Sequence, residues 1–431
     1  MSPVFNEAKY RALLEKLEIE EISLLETQIS NNDFRIDSNF YTKKLPQNKN
    51  LQYKKIGDCL LGTQYGISIE MNENGIGVPI YRMNELHNML CDLEVNKFVD
   101  IGIEEIEKFS LKDRDVLFNR TNSYEWVGRT GIFYKENNEP KVFASYLVRL
   151  IPDEEKITAE YLTTFLSSKY GVADIKRRAR ESINQTNVNP EEVKNIEIPI
   201  LTMLFQQKIT ELLQNANALR KTAKVNYSFA EQLLLQELGL MDWQPDDESV
   251  ATKTFADFQN SGRLDAEYYQ PKYDDLFKRI SSYGKSRLGD IVNITKSIEP
   301  GSEAYQEDGV PFVRVSDITK FGITPPEIHL DRAEYYSEDL IPKKNTILLS
   351  KDGSVGIAYK VENDLDVITS GALLHLTVKN NDFLPDYLTL VLNSIVVKLQ
   401  AERDAGGSII QHWKPSEIEN VIIPKLPMPT Q

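Results

Sequence analysis

The 431-residue sequence holds two cysteines, four histidines and no apolar run near the ~20 residues a membrane-crossing helix needs. Its start has neither the basic flank nor the apolar core of a secretory signal. Cys59 and Cys91 are too few for a disulfide framework and lack CxxC spacing, so they read as free thiols in a reducing cytoplasm. His87, His329, His375 and His412 are scattered, with no HExxH and no Cys/His zinc spacing. There is no GxxxxGK(S/T) phosphate loop and no Asn/Asp-Pro-Pro-aromatic motif of an N6-adenine methyltransferase. The run IPDEEK (151–156) offers carboxylates but reads as a solvated loop, without the separated strand geometry of a metal nuclease. These absences leave no catalytic residue and no metal ligand to assign, and they argue against a self-contained enzyme.

Hydrophobic content of 41% and charged content of 27% are those of a soluble globular protein, and the length favours two or three domains. The formal net charge of −15 argues against indiscriminate polyanion binding, although local patches matter more than the sum. The acidity is uneven: residues 1–30 hold six acids and three bases, and residues 241–261 hold five acids and one base.

The sequence is written twice. FRIDSNFYTKKL (34–45) returns as GRLDAEYYQPKY (262–273), with Arg35/Arg263, Asp37/Asp265 and Tyr41/Tyr269 coinciding. KIGDCLLG is answered by RLGDIVNI, GIGVPIYRMNEL by EDGVPFVRVSDI, and DVLFNRTNSYEWVGRTGIFYK loosely by NTILLSKDGSVGIAYK. ITAEYLTTFLSSK resembles FLPDYLTLVLNSI, and NPEEVKNIEIPIL matches KPSEIENVIIPKL. Six anchors in one order mark a tandem duplication of a domain rather than a solenoid of short units.

Each copy mixes short strands with helices, so the fold class is α+β. GVPIYRM and GVPFVRV alternate as half-buried strands do, DVLF and TILLS are short apolar strands, and ITAEYLTTFLSS has helical spacing. NPEEVKNI carries a helix-start signal. The organisation expected is an N-terminal helix (1–30), a first domain (31–200), a long central helix (201–240), an acidic linker (241–261) and a second domain (262–431).

The central stretch 201–240 has no Pro, and no Gly before Gly239. Phe205, Ile209, Leu212, Ala216, Leu219, Ala223, Asn226, Ala230 and Leu233 recur at alternating spacings of four and three, a coiled-coil seam with one polar break. The small residues Ala216, Ala223 and Ala230 allow close helix approach, and Asn226 could fix register with a partner helix. The alternative is a long helix packed on a globular core. From Phe205 to Leu233 such a helix is roughly 45 Å long, against ~34 Å for a DNA turn, so it could act as a ruler between two sites. ALLEKLEI (12–19) resembles LLLQELGL (233–240), so each copy follows a helix end, while Gln431 aligns with Gln206, where a second long helix is expected to begin.

This layout resembles the specificity subunit of type I restriction-modification systems over nearly the whole chain, apart from the distal helix. The most telling stretches are INQTNVNPEEVKNIEIPILTMLFQQKI and its answer GGSIIQHWKPSEIENVIIPKLPMPTQ. The resemblance implies two target-recognition domains reading the halves of a bipartite double-stranded DNA site. It implies a non-catalytic, cytoplasmic subunit whose helices bind methyltransferase (modification) subunits, joined by a nuclease-translocase (restriction) subunit. S-adenosylmethionine, ATP and magnesium belong to those partners, which methylate adenine N6 and cut DNA. Three readings of the missing distal helix stay open: a truncation of the expressed chain, a natural frameshifted form, or a subunit completed by a second copy or a separate chain.

Base reading needs side chains at base edges, with Lys and Arg on phosphates. IKRRARESINQTN sets Lys176, Arg177, Arg178 and Arg180 before Asn184, Gln185 and Asn187, bases before amides; a solvated helix face and a polar turn would look the same. The second copy offers Gly406, Gly407, Ser408, Gln411 and His412, its glycines suited to close phosphate approach or to a plain turn. A second candidate is the loop after the middle strand: Asn119, Arg120, Asn122 and Arg129 in one copy, Lys351 and Ser354 in the other. The two loops differ while their flanks match, as readers of two half-sites would, or as drifting loops would. By contrast, the conserved Arg35, Asp37 and Tyr41 read as junction architecture, an Arg–Asp pair with a packed Tyr. A coiled-coil scaffold that binds only protein fits the heptads equally well.

Overall fold

The segment DVLFN forms the strand Asp115–Asn119, buried at every position. A strand covered on both faces takes a continuous apolar run rather than an alternating one, and Val116, Leu117 and Phe118 supply it. In the computed structural model, which describes residues 11, 13, 14, 17–30, 35–183, 185–245, 248, 250–405 and 411–431, this strand lies inside the first of two units. The units are Met1–Ala223 and Lys224–Gln431. The candidate residues Asn184, Gly406, Gly407 and Ser408 lie outside the described residues.

In the first unit the main sheet runs Leu60–Tyr65, Leu147–Pro152, Asp115–Asn119, Thr130–Phe133, Met89–Cys91, Leu86–His87. In the second it runs Val292–Lys296, Leu373–Val378, Ile347–Ser350, Ala358–Lys360. The first four strands correspond one to one, antiparallel throughout, and even the register repeats: Val148 faces Phe118 as Leu374 faces Leu349. The duplication read from the sequence is therefore a duplication of topology. Strands Val78–Tyr81 and Val310–Val313, expected to be half-buried, are each buried at three of four positions. Parallel partners, Val142–Phe143 and Ile368–Thr369, cover what alternation would have left open.

The helical segment after the sheet breaks in two at a serine in both units. Ala159–Ser167 is followed by Lys169–Arg178, whose N-cap Ser168 accepts from the Gly171 N–H. Pro385–Asn393 is followed by Ile395–Asp404, capped by Ser394. Such caps satisfy the otherwise unpaired N–H groups of a helix start.

The junction phrase is structural. Arg35 donates to Asp37 at 2.5 Å and to the carbonyls of Arg178 (2.7 Å), Ala179 (3.1 Å) and Arg177 (3.2 Å), closing the C-terminal end of Lys169–Arg178. A cation there complements the negative end of the helix and its unpaired carbonyls. Arg263 repeats the design with Asp265 at 2.6 Å and the Asp404 carbonyl at 3.3 Å. The Tyr41 hydroxyl donates to the Arg35 carbonyl at 2.7 Å, and Tyr269 to Arg263 at 2.8 Å.

The central helix is Met203–Glu237, 35 residues and about 50 Å long at 1.5 Å per residue. Its buried residues are Gln206, Leu213 and Asn217 in the first unit and Leu234 in the second, one position on from the expected seam. The seam residues Phe205, Leu212, Leu219, Asn226 and Leu233 are exposed, Leu212 at 68% and Leu219 at 70%, while Ile209 is half-buried. Two heptad stripes thus run side by side. The inner one packs on the domains, as the globular alternative expected, and the outer one faces solvent. Gln206 fixes the start: its side-chain oxygen accepts from the Thr158 N–H at 2.9 Å and its amide donates to the Leu201 carbonyl at 3.0 Å. Gln431 makes the same two bonds in the second unit, with Leu384 N–H at 2.9 Å and Leu426 carbonyl at 2.8 Å.

Within the stretch expected as an acidic linker, Phe255–Ser261 is a helix with a capping box between Thr254 and Asp257, and Trp243 donates to Asp275 at 2.6 Å. Of the N-terminal helix, the described residues include the helix Leu24–Ser30. Both cysteines are buried free thiols, and burial pushes each thiol up. No helix among the described residues is long and apolar enough to cross a membrane.

Candidate nucleic-acid interface

The two candidate stretches of the first unit, far apart in sequence, meet in one small sheet. Strand Thr121–Asn122 pairs with Gln185–Asn187, which pairs with Arg180–Ser182. The Thr121 hydroxyl donates to the Asn187 side-chain oxygen at 2.6 Å. Asn119 holds the loop from within: it is fully buried and donates to the Trp126 carbonyl at 3.1 Å. Gly128 closes the turn at φ 92°, where a Cβ would meet the Ile175 side chain at 2.5 Å, so helix Lys169–Arg178 sits hard against the loop. Lys176 donates from that helix to the carbonyls of Tyr124, Glu125 (3.0 Å) and Val127 (3.2 Å).

Cations and rings alternate on this surface. Arg120 lies over Tyr65 (5.2 Å), Lys176 over Tyr124 (4.8 Å) and Arg129 over Trp126 (3.4 Å). Tyr65, Tyr124 and Tyr146 are exposed, and none was among the sequence candidates, although Tyr124 stands inside the quoted loop. Arg120 Nε finds no hydrogen-bond partner in the fold. Such a surface offers positive charge together with faces on which guanidinium groups and bases can stack.

Arg177 and Arg178 do not belong to it, which corrects the reading of the basic run as one phosphate-binding unit. Both are buried. Arg177 pairs with Asp174 and donates to the Phe40 carbonyl at 2.7 Å; Arg178 pairs with Glu192 at 2.7 Å and donates to the Asn195 carbonyl at 3.2 Å. Burial pulls Arg177 below the ordinary guanidinium value while Asp174 opposes the shift. Asn119 is likewise internal and Lys351 nearly so, since its ammonium pairs with Asp352. These four side chains build the site; they do not face a ligand.

In the second unit, Asp352–Gly353 pairs with Gln411–His412, the same conjunction of middle loop and pre-helix stretch. His412 Nδ1 lies 2.9 Å from an Asp352 oxygen, and Ser354, Gln411 and His412 are exposed. Although burial would raise Asp352, hydrogen bonds from Lys351 and His412 hold its carboxyl below the usual range.

The backbone beneath the two sites is the same. Arg120 N–H donates to the Tyr146 carbonyl (3.0 Å) and its carbonyl accepts from Val188 (2.9 Å); Lys351 does so with Ala372 (2.9 Å) and Trp413 (2.8 Å). Asn119 exchanges bonds with Arg129 and Gly128 as Ser350 does with Ile357 and Gly356. On this common lattice the side chains differ: Arg120 against Lys351, Tyr146 against Ala372, Arg129 against Ile357, Asn187 against His412. Among the described residues no group of His, Cys, Asp and Glu is placed to hold a metal ion.

Two stretches of the chain, residues 48–225 and 281–431, match the family model described as the type I restriction modification DNA specificity domain. The chain is similar to the putative type I restriction enzyme MjaX specificity subunit of Methanocaldococcus jannaschii, 23% identical over 88% of this chain and 84% of that protein. It is also similar to the type I restriction enzyme EcoKI specificity subunit of Escherichia coli, 24% identical over 43% of this chain and 40% of that one. A solved HsdS subunit from Thermoanaerobacter tengcongensis matches at 14% identity over 89% of this chain and 88% of that one, with a TM-score of 0.29. On the family match, which spans most of its length, the chain belongs to the type I restriction-modification specificity subunits.

Proposed function

We propose that this specificity subunit reads a bipartite double-stranded DNA target, one half with each domain (31–200 and 262–431), and brings methyltransferase subunits to it. The observation that carries this reading is the shared backbone lattice bearing different side chains in the two copies. A duplicated reader must keep its framework and change its contacts to recognise two sequences, because base identity is read at the side-chain level. Arg120, Arg129, Lys176 and Arg180 supply positive charge to the first surface, and Asn122, Gln185 and Asn187 supply amides to it. Ser354, Gln411 and His412 are their counterparts in the second. Each wrong base pair costs ~1–3 kcal/mol, so one small reader discriminates weakly and two tethered readers gain through effective concentration.

The subunit itself is assigned no cofactor. S-adenosylmethionine belongs to the modification subunits that methylate adenine N6, and ATP and magnesium to a nuclease-translocase subunit. The outer stripe of the central helix, Phe205, Leu212, Leu219, Asn226 and Leu233, suits a partner helix from a second copy or a separate chain, since a seven-residue repeat presents one continuous seam.

Footprinting with the modification subunit present tests the reading. Protection of two short patches about one helical turn apart is the expected outcome. Salt-dependent binding without a preferred sequence, or no binding, would favour a coiled-coil scaffold that contacts protein alone.

A further inference from the structure

The strands Arg180–Ser182 and Gln185–Asn187 belong to that three-stranded sheet; Thr121–Asn122 pairs with it only as far as Thr186, so beyond that residue the hairpin continues as a two-stranded tip whose turn carries Ile183 at 101% relative exposure. The hairpin is otherwise polar: Arg180, Glu181, Ser182 and Gln185 are exposed, and the Ser182 hydroxyl donates to the Gln185 carbonyl at 2.7 Å, bracing the turn. A fully exposed isoleucine there contributes nothing to the domain core. Glu181 stands beside Arg180 and offsets part of its charge, so the tip holds phosphates less strongly than its flank does. Its flank is the cation–ring surface, which does carry positive charge at Arg120 and Lys176.

Size decides where such a ribbon could enter a duplex. Paired strands lie about 4.8 Å apart, so with side chains the two-stranded tip beyond Thr186 is roughly 10 Å across. The major groove, about 12 Å wide, admits a two-stranded ribbon; the minor groove, about 6 Å wide, does not. On the major-groove edges of the four base pairs, the apolar group is the thymine C5-methyl. We infer that Ile183 is a specificity residue whose side chain packs on a thymine methyl in the half-site read by the first domain. The inference rests on the DNA reading above and deepens it, because it fixes one position of one half-site as an A·T pair.

The test uses the subunit assembled with its modification subunits and a duplex bearing the target found by methylome sequencing. Each thymine is replaced in turn by uracil, which removes only the methyl group. With the wild-type chain, one uracil probe should bind about tenfold more weakly than its parent, the effect of one lost methyl contact. With Ile183→Ala, that probe and its parent should bind alike, while uracil at other positions acts as it does in the wild type. An equal uracil penalty in both proteins, or none in the wild type, overturns the inference while specific binding to the target persists. Binding of the target no tighter than of a scrambled duplex overturns the DNA reading and the inference with it. Unchanged affinity of Ile183→Ala for the modification subunit shows that the variant is folded.

Discussion

His375 Nε2 lies 2.7 Å from the Thr369 hydroxyl, and both side chains are buried in the second domain. The matching position of the first domain is Arg149, which pairs with Asp115 at 2.8 Å, also in the interior. The two copies have thus solved one buried polar position in different ways, as an ion pair and as a neutral hydrogen bond.

Burial lowers the His375 pKa from its ordinary value to about 4, so the folded domain keeps the ring neutral. Unfolded, the ring takes up a proton near pH 6.5. The neutral ring's contribution is complete above that pH and is lost as pH falls from about 6.5 to about 4, up to about 3 kcal/mol in all. Thermal melting followed across this window should show the loss in the wild type, and His375→Gln should be flatter. Parallel profiles would contradict the assignment.

Arg35→Ala should destabilise the first domain by about 3–5 kcal/mol, because a buried guanidinium with several acceptors leaves them unpaired when it goes. Arg263→Ala should cost less, since that side chain is more exposed. Urea unfolding of both variants measures the difference, and the methylated motif should be the same in each.

Gln206→Leu removes the acceptor of the buried Thr158 N–H and the donor to the Leu201 carbonyl. The expected loss is about 1–3 kcal/mol for buried groups left without partners. Hydrogen exchange should speed up at Thr158, and unchanged protection there would count against the latch.

Arg120→Ala and Arg178→Ala should separate cleanly. Removing Arg120 should weaken DNA binding and reduce the salt slope by about one if it meets a phosphate, with little change in melting. Removing Arg178 leaves Glu192 buried without its partner, so stability should fall by about 3–5 kcal/mol. Salt-dependent binding and melting curves on both variants check this.

Much of this architecture was legible because the chain contains its own comparison. Residues that recur with unchanged chemistry, Arg35/Arg263 and Tyr41/Tyr269, proved to be bracing, and Gln431 stands to its domain as Gln206 does. The phase of the central helix was harder to read. Its inner stripe docks partly through polar groups, as Gln206 and Asn217 show, so the apolar pattern pointed to the outer stripe. The run KRRAR misled for a related reason. Arg177 and Arg178 count as surface charge until Asp174 and Glu192 are seen to take them inward. Tyr65 joins the site through its ring beneath Arg120 and Tyr146 through its carbonyl on the Arg120 N–H, and no local motif announces either.

The most direct test of two readers on one rod is methylome sequencing of a host carrying the wild-type system beside one with a single heptad inserted within residues 205–233. The account predicts a two-part methylated motif in both, with each half-sequence unchanged and the gap lengthened by the insertion. A one-part motif, or a gap that stays the same, would contradict it.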